Sequence, residues 1–114
     1  MRIVQRQQDG VVVADLEGRL VAGEPQKALQ DTVEELLAAG QNKIVLNLSE
    51  LARLDSSGIG ELVASVRLAK SVGGRMVLLQ LSDNVRRILD VSQVLPVLEL
   101  FDDEAAAIEA LSES

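Results

Sequence analysis

Apolar residues along this chain recur with two different periods, and the change from one to the other marks out its elements. Two short β-prone runs come first, Arg2–Gln7 and Val11–Leu16, separated by Gln8-Asp9-Gly10. Asp-Gly between such runs signals a hairpin, because glycine takes the positive φ that a tight turn needs. Gly18 to Gly23 read as an irregular stretch. Ala28, Leu29, Thr32, Val33, Leu36 and Leu37 then recur at helical spacing, with Gln30, Glu34 and Glu35 on the other side. Glu24-Pro25 opens this helix, since proline's missing N–H costs nothing in a first turn, and Gly40 stops it.

The middle of the chain alternates strand and helix. Lys43–Leu48 carries Ile44, Val45, Leu46 and Leu48, a run suited to a strand covered on both faces. Ile59, Leu62, Val63, Val66 and Ala69 define a second amphipathic helix, ended by Val72-Gly73-Gly74. Arg75–Leu81 reads as the next buried strand. Ser82-Asp83-Asn84 supply capping side chains for a third helix with Val85, Ile88 and Leu89 on one face. Val94–Leu100 is β-prone but holds Pro96, which confines it to a short edge strand. Asp102 and Asp103 cap a last helix containing Ala106, Ile108, Ala110 and Leu111. The order ββαβαβα(β)α predicts a single α/β domain over residues 1–114. Its mixed sheet of four to five strands has helices packed against it and right-handed crossovers.

Composition narrows the chemistry. Apolar residues make up 47% of the 114, nearly all aliphatic, and Phe101 is the single aromatic residue. With no cysteine there is no disulfide, thiol nucleophile or zinc–thiolate site. With no histidine, the usual general base and the commonest transition-metal ligand are missing too, and a Ser-His-Asp triad cannot form. No catalytic residue, metal or cofactor is expected, and the chain reads as a non-enzyme. The net charge of −7, with no aromatic platform, argues against nucleic acid. No apolar run approaches the ~18–20 residues that cross a bilayer, and the first residues lack a signal-peptide pattern. A cytoplasmic protein without membrane insertion is the expectation.

Candidate chemistry concentrates in Leu54-Asp55-Ser56-Ser57-Gly58-Ile59-Gly60-Glu61-Leu62, where a loop becomes a helix. Unpaired N–H groups at a helix start favour negative charge, so a serine there can cap the helix or carry a phosphate. Strand-to-helix loops gather at the carboxyl edge of a parallel sheet, where ligand sites usually lie. Gly58-Ile59-Gly60 lacks the third glycine of a dinucleotide fingerprint, and no lysine follows as in a phosphate loop. Arg67, Lys70, Arg86 and Arg87 read as solvated helix faces.

The chain resembles a STAS domain, the module of bacterial anti-sigma factor antagonists and sulfate transporter tails. The residues that carry the resemblance are Gly18-Arg19-Leu20, Ile44-Val45-Leu46-Asn47-Leu48, Leu54-Asp55-Ser56-Ser57-Gly58-Ile59-Gly60, Gly73-Gly74-Arg75-Met76 and Val85-Arg86-Arg87-Ile88-Leu89. The resemblance implies partner switching. Ser56, directly after Asp55, is then the residue phosphorylated by a serine kinase that doubles as the anti-sigma factor, and a phosphatase restores it. Around it Asp55, Ser57, Gly58, Gly60, Glu61 and Ser65 are the expected partner-binding residues. Ser57 is assigned as a structural hydroxyl, the two glycines as points of close approach, and Glu61 and Ser65 as contacts on the following helix. Antagonists of this type usually carry Gly-x-Leu-Asp after the second strand, whereas here Leu20 is followed by Val21. That departure keeps open a phosphorylation-independent scaffold, or an accessory subunit of a signalling or transport complex. A monomer or a weak dimer is expected.

Overall fold

The computed structural model describes residues 1–23 and 28–113. The opening hairpin joins β1 (Arg2–Gln8) to β2 (Val11–Leu20), antiparallel with Gln8 opposite Val11. Its two-residue turn places both Asp9 (φ 54°) and Gly10 (φ 77°) in the left-handed region. Such a turn matches the right-handed twist of the strands it joins. Helix α1 spans Ala28–Ala38 and buries Leu29, Val33 and Leu36. The Glu24-Pro25 start read from the sequence lies outside the described residues.

Three parallel pairings extend the sheet: β2 with β3 (Lys43–Asn47), β3 with β5 (Arg75–Leu79), and β5 with the two-residue β6 (Leu100–Phe101). Strand order is β1-β2-β3-β5-β6, and a further strand, β4 (Leu51–Leu54), pairs with the far end of β2. The sheet is thus mixed and six-stranded, one strand more than the patterning suggests. β4 continues the row begun by β3: β3 takes Val12–Asp15 of β2, and β4 takes Gly18, Arg19 and Leu20, with a shift of register between Gly18 and Arg19. This pairing keeps β2 extended for ten residues.

Helices cover both faces. On one, α1, α2 (Ser56–Ser71) and α3 (Asp83–Val91) pack over Val12, Ala14, Leu16, Ile44, Leu46, Met76 and Leu78. On the other, α4 (Glu104–Ser112) packs Ala107, Ile108 and Leu111 over Val11, Val13, Val45, Val77 and Leu79. Burying Ile108 and Leu111 is worth roughly 1.5–3 kcal/mol each. β3 and β5 are therefore covered on both sides, as their continuous apolar runs predict. Ser82 and Asp103 cap α3 and α4 by accepting the N–H groups of Val85 and Ala106. The expected edge strand at Val94–Leu100 is replaced by a short 3-10 turn, Leu95–Val97, ahead of β6. Pro96 supplies the cause: with no N–H to give a ladder, it sits at the start of that turn instead.

Two ion-pair clusters fasten α4. Arg6 of β1 reaches both Asp15 (2.8 and 2.9 Å) and Glu104 (2.8 and 3.0 Å). Asn47 adds a 2.8 Å bond to the Asp15 carboxylate. At the other end Arg75 makes a two-pronged pair with Glu99 (2.9 and 2.6 Å) and donates to the Ala110 carbonyl at 3.1 Å.

Candidate functional site

The Asp-Ser-Ser-Gly segment sits where β4 gives way to α2, at the carboxyl edge of the sheet. Asp55 is the N-cap of α2, in extended conformation (φ −117°, ψ −174°). One carboxylate oxygen, Oδ1, accepts the Gly58 N–H at 2.9 Å. The other, Oδ2, accepts the Ala22 N–H at 2.9 Å, from the loop that follows β2. The Asp55 N–H in turn donates to the Leu20 carbonyl at 3.4 Å. One side chain therefore closes the α2 terminus and pins a loop 33 residues away in sequence. These N–H groups, Ala22 foremost and then Gly58, hold the carboxyl below its ordinary pKa and so keep it charged.

Asp55 supplies the cap, so the serines are released from that duty. Ser56 and Ser57 are the first two residues of α2 and both are exposed. Neither hydroxyl bonds to another of the described residues, so Ser57 is not the structural hydroxyl expected of it. Ser56 stands in the first turn of a helix whose N–H groups favour an anion, with one adjacent carboxylate already in place.

The six residues expected to bind a partner divide in two. Asp55, Ser57 and Gly60 lie together at the surface around Ser56, with Asp55 half-buried by its cap bonds. Gly58, Glu61 and Ser65 face inward. A Cβ on Gly58 would lie 1.9 Å from the Leu20 carbonyl oxygen and 2.9 Å from Leu54 Cδ1. Only glycine fits there, and what it admits is the backbone of β2, not an incoming protein. Glu61 turns toward α1, where Oε1 accepts the N–H groups of Leu29 (2.8 Å) and Gln30 (3.2 Å). Ser65 is fully buried, and its hydroxyl has no hydrogen-bond partner among the described residues. Glu61 and Ser65 are expected contacts because their helix adjoins Ser56, and Gly58 an expected point of close approach; all three turn inward instead.

Sequence reading missed two components. The Ala22 amide carries no side-chain signature, so its part emerges only once β2 and β4 are paired. Arg19 and Arg53 lie opposite each other in that pairing, both exposed, one and two residues from Leu20 and Asp55. Gly-Arg-Leu drew attention to Arg19, whereas Arg53 acquires meaning only from β4. No group of three or more carboxylates that could hold a metal occurs among the described residues. Nor is any helix among them long and apolar enough to cross a membrane.

The sequence profile of the STAS domain matches residues 2–107. The chain belongs to the STAS-domain family. Among its relatives, an anti-sigma F factor antagonist from Paenibacillus polymyxa is 27% identical over 111 residues, covering 97% of this chain and 95% of the relative. Two solved structures share the fold. An anti-sigma factor antagonist from Mycobacterium paratuberculosis superposes with a TM-score of 0.81 at 20% identity, covering 96% of this chain and 92% of that one. The Bacillus cell fate determinant SpoIIAA, solved in its phosphorylated form, gives a TM-score of 0.70 at 23% identity, covering 96% and 99%. The STAS fold thus accounts for the mixed sheet and for the placement of the Asp55–Gly58 loop at its carboxyl edge.

Proposed function

We propose that this STAS protein is an anti-sigma-factor-antagonist-like regulator whose choice of partner is set by reversible phosphorylation of Ser56. The observation that carries the reading is the division of labour at the α2 terminus. Asp55 does the capping, and Ser56 beside it is exposed, its hydroxyl bonded to no other described residue. The name of the Paenibacillus polymyxa relative and the existence of a phosphorylated form of SpoIIAA support the same reading.

The partners on this reading are a serine kinase that also acts as the anti-sigma factor, and a serine phosphatase. The chain itself supplies no catalysis, and the exchange takes place in the cytoplasm. A phosphoryl group brings about −1.5 to −2 charges to a surface that already holds Asp55. The helix terminus tolerates that charge, offsetting roughly 0.3–1 kcal/mol. A partner face that meets Asp55, Ser57 and Gly60 loses complementarity at once, which makes the switch one of local electrostatics.

Val21 favours a second reading. It occupies the place where antagonists of this type usually carry an aspartate, in the loop that Asp55 holds through Ala22. A scaffold or accessory subunit would keep the fold and dispense with phosphorylation. Incubating the protein with ATP and the serine kinase encoded nearest to it, then mapping phosphate by mass spectrometry, separates the two. Phosphate on Ser56, absent in Ser56→Ala and accompanied by loss of kinase binding in Ser56→Asp, supports the switch. No modification by a kinase active on another substrate supports the scaffold.

A further inference from the structure

At the opposite end of α2 from Ser56, roughly 16 Å along the helix at 1.5 Å per residue, lies a cavity of about 450 Å³. It opens between the last turns of α2, the start of β5 and the segment before β6. Its floor is apolar: Met76 and Leu98 are buried, and Val66 is half-buried. Val97 projects into the opening with 51% of its surface exposed, one of the few large apolar side chains left to solvent. Its volume falls within the roughly 300–1,000 Å³ of small-molecule pockets.

Positive charge predominates at the rim. Arg67, Lys70 and Arg75 line the cavity against a single carboxylate, Glu99, in a chain whose net charge is −7. Glu99 is consumed by its two-pronged pair with Arg75, and Arg75 is anchored further by the Ala110 carbonyl. Lys70 lies within electrostatic reach of Glu99 but makes no ion pair with it among the described residues. Arg67 has no ion-pair or hydrogen-bond partner among them. The carbonyls of Ala69 and Lys70, which would otherwise repel an anion from a helix end, accept the N–H groups of Val72, Gly73 and Gly74. Two cations one helical turn apart thus stand over an apolar floor, neither in an ion pair with another of the described residues.

We propose that this cavity binds a single-chain organic anion, its carboxylate on Arg67 and Lys70 and its apolar tail over Met76, Val97 and Leu98. The chemistry is that of a medium-chain fatty acid. Neither half of the site suffices alone: exposed Lys and Arg hold a small carboxylate weakly in water, and the floor is too small to retain an uncharged chain. The proposal is independent of Ser56 and its phosphorylation.

The test is a titration of the isotopically labelled full chain with decanoate, followed by two-dimensional NMR. Decanol and acetate serve as probes lacking the charge and the tail. Saturable shifts confined to Val66, Arg67, Lys70, Met76, Val97 and Leu98 are expected with decanoate and not with either control. The double variant Arg67→Glu, Lys70→Glu weakens decanoate binding at least tenfold, and so does Val97→Asp, while all three chains retain the amide spectrum of a folded domain. Equal response to decanol overturns the proposal, because the cations are then not read. Equal response to acetate overturns it because the floor is not used. Absence of saturable shifts, or shifts scattered over the surface, overturns it outright.

Discussion

The Asp55 carboxylate holds the Ala22 amide at 2.9 Å, tying the loop after β2 to the first turn of α2. With its other oxygen on Gly58 the same side chain serves two segments that no local rule connects. Asp55→Ala therefore opens both at once. The expected result is faster hydrogen exchange at Ala22 and Gly58 together, with a lowered Tm. Exchange that rises at Gly58 alone would show that the loop is held by something else. Asp55→Asn keeps one acceptor oxygen and should fall between the two.

Gly58 and Gly60 provide a paired prediction on one helix. Gly58→Ala drives a methyl into the Leu20 carbonyl, a backbone obstacle that cannot rotate away. The loss should reach about 3 kcal/mol, the upper end of what overpacking costs. Gly60→Ala meets nothing within 4 Å and should stabilise by about 0.5–1 kcal/mol, since alanine is the better helix residue. Urea unfolding of both variants checks the contrast. Equal effects would mean that α2 does not rest on β2 as described.

Ser65 offers a gain of stability. Its buried hydroxyl has no partner among the described residues, and a buried polar group left unpaired is destabilising. Ser65→Ala should raise stability by about 1 kcal/mol, with helix propensity contributing part of it. A loss in chemical denaturation would reveal a partner for the hydroxyl in solution.

Acid sensitivity follows from carboxylates held by partners. Arg6 lowers the pKa of Asp15 and Glu104, Arg75 lowers that of Glu99, and backbone N–H groups lower that of Asp55. Each folded value lies below the unfolded one, so each contribution is complete above the ordinary carboxylate range of about 4. It is lost as pH falls through the folded value, where the native state must take up the proton. Tm should be nearly flat from pH 7 to pH 5 and drop below pH 4. Arg6→Met removes the partner of two of these carboxylates, so its melting curve should fall less steeply in acid while starting lower at neutral pH.

Ser56→Glu should leave the fold intact, with a stability change within about 0.5 kcal/mol, as befits an exposed position away from packing. Circular dichroism and thermal melting check this. A large destabilisation would mean that charge at this position acts on the domain itself and not on what docks there.

Most of the fold was legible in the sequence, because period and punctuation agreed. Asp9-Gly10 forms its hairpin turn, the amphipathic helices lie where their apolar stripes put them, and β3 and β5 are buried as continuous runs. β4 was hidden because Leu51-Ala52-Arg53-Leu54 alternates too briefly to announce a strand. Its pairing with β2 is a long-range event. Pro96 was read correctly as a breaker, yet what it broke was the whole run from Val94. At the site, capping chemistry pointed to the Asp55–Gly58 loop but assigned the cap to a serine, whereas Asp55 takes that role and leaves Ser56 exposed. Gly58, Glu61 and Ser65 were chosen for their nearness to Ser56, but nearness along a helix does not fix which neighbours claim a side chain, and all three turn inward. Glu61 shows this most plainly, for its carboxylate is taken by the start of α1.

The contact between Gly58 and the Leu20 carbonyl has a consequence for timing. With no side chain between helix and strand, the first turn of α2 has no slack to take up. On the proposed reading, a phosphoryl group attached to Ser56 would then be displayed without a conformational step in this chain. On that reading the speed of the response would be set by the enzymes that add and remove the group and by how fast the partner departs.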